Sequence, residues 1–178
     1  MPMTVVEPCE IPAHALLSKY RDGASYSDCY VAEVPGSVPQ STFVEAFYTT
    51  ALFKIERALL TWFANRPSTD QGAKQLAQGV TNSFAAWRVE GRDDDQLLVK
   101  AGRTRSWFMV SSSGQGTATG TRTRLYFGSA VIPRVGADGE RKFGLAFHAL
   151  IGLHKLYSRA LLKAAISRLE SQGSDGTP

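Results

Sequence analysis

Apolar positions recur with two different periods along the chain, and the switches between them mark out the elements. Residues 25–34 (Ser-Tyr-Ser-Asp-Cys-Tyr-Val-Ala-Glu-Val) alternate loosely and are rich in strand formers, which predicts a first strand ended by Pro35, Gly36 and Pro39. Val44, Phe47, Ala51, Ile55, Leu59 and Trp62 then recur at helical spacing and predict a helix over 42–63. Thr42 as N-cap with Glu45 three residues later reads as a capping box, and Asn65, Arg66 and Pro67 close the helix. A weaker helix follows over 69–78, with Gly79 placed to cap it. The period then falls to two, predicting strands over 83–90, 96–101, 105–112 and 119–132. Short joins at Gly91–Asp95, Gly102-Arg103 and Ser113–Gly116 make these an antiparallel meander, with a further turn at 136–139. Residues 144–170 form a last, long helix. Phe147, Leu150, Ile151, His154, Tyr157, Leu161, Ala165 and Leu169 share one of its faces, and Lys155, Arg159 and Lys163 share another.

Strand, helix pair, meander and long C-terminal helix define an α+β fold. A curved antiparallel sheet wrapped around the last helix would bury both apolar faces together. Residues 1–24, with Pro2, Pro8 and Pro12, read as an arm, extended or partly packed, with room for one helical turn near 13–19. Residues 25–170 make one domain, and the small polar residues 171–178 a disordered tail. At 178 residues the chain can bury roughly 70% of its unfolded surface, enough for a core without metals or disulfides.

Composition narrows the function little. The apolar fraction is 43% and the charged fraction 20%, which excludes a disordered chain. The net charge of +4 is spread along the sequence, and no basic stripe of the kind nucleic-acid binders carry stands out. A single Cys9–Cys29 disulfide is conceivable, but free thiols in a reducing cytosol are the expectation. No CxxC or HExxH spacing occurs, so neither a metal nor another cofactor is expected. The first ten residues lack a basic then apolar leader, and no apolar run spans a bilayer; a cytoplasmic protein follows as the expectation.

The order of elements resembles the helix-grip, START-like (SRPBCC) superfamily, which includes polyketide cyclases and plant pollen-allergen-like proteins. Within it, Lys142-Phe143-Gly144-Leu145-Ala146-Phe147 and Leu150-Ile151-Gly152-Leu153-His154-Lys155-Leu156 resemble the signature of a bacterial domain-of-unknown-function family. That family shows a glycine, an aromatic three residues on, and a Pro-Phe-His-like triplet opening the main part of the final helix. Tyr26-Ser27-Asp28-Cys29-Tyr30 is similar to its first strand. Gly152-Leu153 stands where the family tends to have Pro-Phe. The resemblance implies a cavity between sheet and helix and aligns His154 with the family's histidine. It implies no established reaction.

His154 is the leading candidate for chemistry, because histidine titrates near neutrality and this one lies on the apolar helix face beside Tyr157. The bland reading is a core histidine satisfied by a backbone carbonyl. Arg103, Arg105, Arg122 and Arg124 flank a glycine-rich tip at 114–120 that lacks a phosphate-loop ending. Arg105 shares strand parity with Trp107 and Met109, and Arg124 with Tyr126. Turned inward, these arginines could hold an anionic head while Trp107 and Tyr126 line a cavity. Turned outward, they protect a sheet edge, and Leu125, Phe127 and Val131 on the other parity form the core. Cys29 reads as a structural thiol, Asp93-Asp94-Asp95 as a solvated turn, and the basic helix stripe as a wetted face.

Three functional readings follow. One is a module binding a small apolar or amphipathic ligand through His154, Tyr157, Trp107, Arg105, Arg124 and Tyr126. Another is a cyclase- or dehydratase-like enzyme with His154 as acid/base. The last is an interaction surface that makes a homodimer or docks a partner.

Overall fold

The structure is a computed structural model that describes residues 4–21, 25–55, 68–113, 121–135, 141–142 and 145–174. Its strands are β1 (Glu7–Pro8), β2 (Tyr26–Pro35), β3 (Ser83–Phe84), β4 (Trp87–Arg92), β5 (Gln96–Ala101), β6 (Thr104–Ser113), β7 (Arg122–Val131), β8 (Arg134–Val135) and β9 (Arg141–Lys142). Its helices are α1 (Gln40–Tyr48), α2 (Asp70–Ala77) and α3 (Leu145–Ser174). The fold is α+β. Seven strands form one antiparallel sheet in the order β1-β2-β7-β6-β5-β4-β3, and β8 pairs with β9 apart from it.

Register decides what each face carries. Cys29 lies opposite Gly128, which lies opposite Trp107; one step along, Tyr30, Phe127 and Phe108 are aligned. Side chains alternate across a strand, so these rows point to opposite sides. On the helix side, Tyr30, Leu97, Phe108, Leu125 and Phe127 pack against Phe43 and Phe47 of α1 and Leu161, Leu162 and Ile166 of α3. The ring centroids of Phe47 and Phe127 are 4.7 Å apart, and those of Phe47 and Phe108 4.8 Å.

The other face is not left to solvent. The arm lies across it, burying Ile11, Ala15 and Leu17 on Cys29, Leu98, Trp107, Met109 and Ala130. β1 adds to the edge of β2, and the helical turn is a 3-10 turn at Ser18–Tyr20. Gln96 fastens the arm, accepting from the Leu16 amide at 2.9 Å and donating to the His14 carbonyl at 3.3 Å. The arm is therefore a second covering layer, anchored by Val6, Ile11, Ala15 and Leu17, which are buried.

Several expected boundaries move, each for a local reason. The helix expected over 42–63 starts earlier, after Pro39, and Thr42 lies within its first turn, so no capping box forms. It is interrupted at Thr49-Thr50, whose hydroxyls donate to the carbonyls of Glu45 and Phe47 at 2.7 and 3.0 Å and compete with the helical ladder. Thr50 then accepts from the Phe53 amide at 3.1 Å and starts a new helical segment at 51–55. Leu59 and Trp62 lie outside the described residues, as do the 114–120 tip and the 136–139 turn. α2 begins at an N-cap, Thr69, that accepts from the Gly72 amide. The strand expected over 83–90 is two strands, split at Ala85, whose φ of 51° turns the chain. α3 runs on to Ser174, past the expected end at 170 and into the expected tail. Among the described residues, no helix is long and apolar enough to cross a membrane.

Candidate functional site

α3 crosses β2 and β7 on the helix side of the sheet, and polar residues stand there on an otherwise apolar parity. Asp28 of β2 shares its face with Tyr30, Ala32 and Val34; Ser129 of β7 shares its face with Leu125 and Phe127. The two are brought side by side. Ser129 Oγ donates to Asp28 Oδ1 at 2.6 Å, and Tyr26 Oη donates to Asp28 Oδ2 at 3.0 Å. His154 descends from α3 onto the pair, with Nε2 at 2.8 Å from Ser129 Oγ and 3.6 Å from Asp28 Oδ2. The Tyr26 ring meets the imidazole edge-on.

The hydrogens can be assigned. A hydroxyl has one proton. With that proton committed to the carboxylate, Ser129 accepts from Nε2–H of His154. Asp28, with only 9% of its side chain exposed, is thus a buried acceptor satisfied by two hydroxyls, with an imidazole beyond. Burial and then the negative charge of Asp28 push the Tyr26 phenol well above its ordinary range, so it stays a donor. Asp28 approaches the same ring nitrogen that Ser129 meets. It does not orient the other nitrogen, so the order of a nucleophilic Ser-His-Asp triad is not built. The cluster is a hydrogen-bonded network that is not arranged to launch Ser129 as a nucleophile.

Ser129 and His154 look into a cavity of about 300 Å³ between the sheet and α3. Phe47, Phe53, Trp87, Phe127 and Tyr157 supply apolar walls, and Ser158 adds a buried hydroxyl. Such a lining, aromatic and aliphatic side chains with polar groups among them, is the usual make-up of a small-molecule pocket.

The six side chains singled out from the sequence separate onto two faces. His154 and Tyr157 meet in the cavity. Trp107 does not: it is fully buried under the arm, and its indole N–H donates to Gln96 Oε1 at 2.9 Å. Arg105 is among the residues lining the cavity, but its guanidinium is held on the arm side, by Glu90 at 2.7 Å and by the Tyr20 hydroxyl at 3.1 Å. Arg124 pairs with Glu33 at 3.3 Å, beside Arg122, which binds the same carboxylate. Arg124 and Tyr126 face an open groove of about 1030 Å³ along the outer edge of β2, walled by arm residues such as Val5 and Glu10. That groove is larger than the cavity; its two arginines share the one carboxylate of Glu33, and Glu7, Glu10 and Glu170 also line it. Parity placed these four residues together correctly; the arm decides that their face is not the helix-side cavity.

Asp28 and Ser129 were missed as site residues. Their signal was a carboxylate and a hydroxyl on the core-facing parity of two strands. Among the described residues no group of three His, Cys, Asp or Glu could hold a metal ion.

No family model matches the chain, and no curated protein is matched by it. Among solved structures, an uncharacterized protein from Rhizobium leguminosarum is similar over 82% of this chain and 97% of its own, at 9% identity and a TM-score of 0.27. A likeness at that level carries no argument about fold or function.

Proposed function

We propose that the protein is a helix-grip, START-like binding module that holds a small amphipathic molecule between its sheet and α3. The observation that carries this reading is the polar cluster of Asp28, Ser129 and His154 at the wall of an aromatic cavity. A buried hydrogen-bonding group in an apolar surrounding orients a ligand as much as it holds it, because a ligand without the matching group leaves it unpaired. The ligand's apolar body would lie against Phe127, Trp87 and Tyr157, and a hydroxyl or carbonyl would meet Ser129 and His154. An acid–base role for His154, of the cyclase or dehydratase kind, would use the same cavity; the hydrogen-bonding geometry is accounted for without it.

The test uses anilinonaphthalene sulfonate, a fluorescent amphipathic probe, with the wild type and Ser158→Leu, which fills the cavity from α3. The wild type is expected to enhance probe emission saturably, and Ser158→Leu, with an unchanged circular dichroism spectrum, to lose at least about tenfold in affinity, the equivalent of about 1.4 kcal/mol. Equal binding by both proteins would place the probe elsewhere and contradict the reading.

A further inference from the structure

The arm and the sheet bring the protein's two cysteines together. β1 pairs Glu7 with Val31 and Pro8 with Tyr30, and the register continues to Cys9 opposite Cys29, where the Cys9 amide donates to the Cys29 carbonyl at 3.0 Å. Residues facing each other across a hydrogen-bonded antiparallel pair have Cα atoms ~5.5 Å apart, inside the ~4.4–6.8 Å that a disulfide bridges. The two sulfurs are 2.9 Å apart, sharing one hydrogen, and both thiols are free. Closing to a bond of ~2.05 Å needs movement of under ~1 Å, within reach of a side-chain rotation.

We propose that Cys9 and Cys29 are a reversible thiol–disulfide pair, oxidised by a low-molecular-weight disulfide of the glutathione type, that locks the arm onto the sheet.

Cys9 is half-buried and Cys29 buried. Both line a cleft of about 520 Å³ together with Lys155, Arg159 and Asp28; the two cations outnumber the carboxylate and draw in an anionic disulfide. The hydrogen bond between the two thiols holds Cys9 below its ordinary range; the same bond, then burial, pushes Cys29 up. Cys9 is the more accessible of the two and is the attacking thiol. Its thiolate displaces one glutathione thiolate and forms a mixed disulfide at Cys9. With the Cys9 charge gone, Cys29 loses its proton and attacks Cys9 Sγ, expelling the second glutathione. Two protein thiols are oxidised, one glutathione disulfide is reduced to two thiols, and the two protons pass to the leaving thiolates. A disulfide inside a cell is characteristically of this transient, redox-responsive kind. The bond would link residues twenty positions apart and close a loop that includes Ile11, Ala15 and Leu17, the residues that cover the sheet.

The test exposes the reduced full chain to glutathione redox buffers, blocks remaining thiols with N-ethylmaleimide, and reads intact mass and non-reducing peptide maps. The wild type is expected to lose both alkylatable thiols without retaining glutathione, to yield a Cys9–Cys29 linked peptide within one chain, and to revert with dithiothreitol. Its Tm is expected to rise by about 5–10 °C on oxidation. Cys29→Ala is expected to stop as a glutathione adduct on Cys9, and Cys9→Ala to stay unmodified. Wild-type protein that keeps both thiols alkylatable, accumulates adducts on both, or links only between chains overturns the proposal. The wild-type peptide map decides the matter even if either variant fails to fold.

Discussion

At the scale of single residues, Gly128 shows how closely the two layers meet. Its backbone is ordinary, so it is not there for conformational freedom. A Cβ at this position would lie 2.7 Å from Leu17 Cδ2 and 3.0 Å from both the Asp28 carbonyl and Trp107 Cε3. Leu17 Cδ2 is the end of a side chain and can turn aside, but the Asp28 carbonyl is backbone and Trp107 is fully buried. Gly128→Ala is expected to destabilise the fold by about 1–3 kcal/mol, in the range of other overpacked cores. A urea titration checks this, and an unchanged midpoint would show that the arm does not press on the sheet there. The neighbouring Ser129 makes the opposite point about legibility. Its parity with Leu125 and Phe127 could be counted from the sequence, but its meeting with Asp28, 101 residues away, depends on the register of β2 against β7. Nothing local in the chain encodes that register. His154 was legible because its helix stripe is a local pattern.

At the scale of elements, the arm is held by a charge cluster as well as by apolar contacts. Glu90 of β4 receives Lys19 Nζ at 2.8 Å and the Tyr20 hydroxyl from the arm, and Arg105 Nε at 2.7 Å from β6. Burial alone would raise the Glu90 carboxyl, but Lys19, Tyr20 and Arg105 outweigh it and hold the group below the ordinary 4.5. A depressed folded-state value stabilises the fold at pH above 4.5, and that contribution is lost as pH falls through the lower value. Glu90→Gln is therefore expected to lower stability by on the order of 1 kcal/mol at pH 7, and the gap to the wild type to close under strong acid. Denaturation at both pH values measures it; a gap of the same size in acid would mean that Glu90 acts through packing rather than charge. The arm is also where the sequence was least informative. Its prolines and lack of periodicity described an extended segment well, yet only the three-dimensional sheet supplies the surface that Ile11, Ala15 and Leu17 cover. The same absence of context hid the helix interruption at Thr49-Thr50: the apolar period runs through it, while the hydroxyls break the ladder.

At the scale of the whole molecule, one sheet is covered twice. The arm side is closed by Trp107, Leu98 and Leu17, all without exposed surface. The helix side is closed over most of its area and open at the cavity where His154, Ser129 and Tyr157 meet. The α+β order, the antiparallel meander and the long last helix followed from periodicity alone. The division of labour between faces did not, because alternation tells which residues share a side and not what lies on that side. In the function proposed above, the helix-side cavity takes the ligand. The most direct test is heteronuclear NMR of the labelled protein titrated with small aromatic acids and phenols. Chemical-shift changes are expected at Phe127, Ser129, Tyr157, Ser158 and the His154 ring, with the Trp107 indole N–H signal unmoved. Shifts gathered instead along Val31, Arg124 and Tyr126 at the outer edge of β2, or no shifts at all, would contradict it.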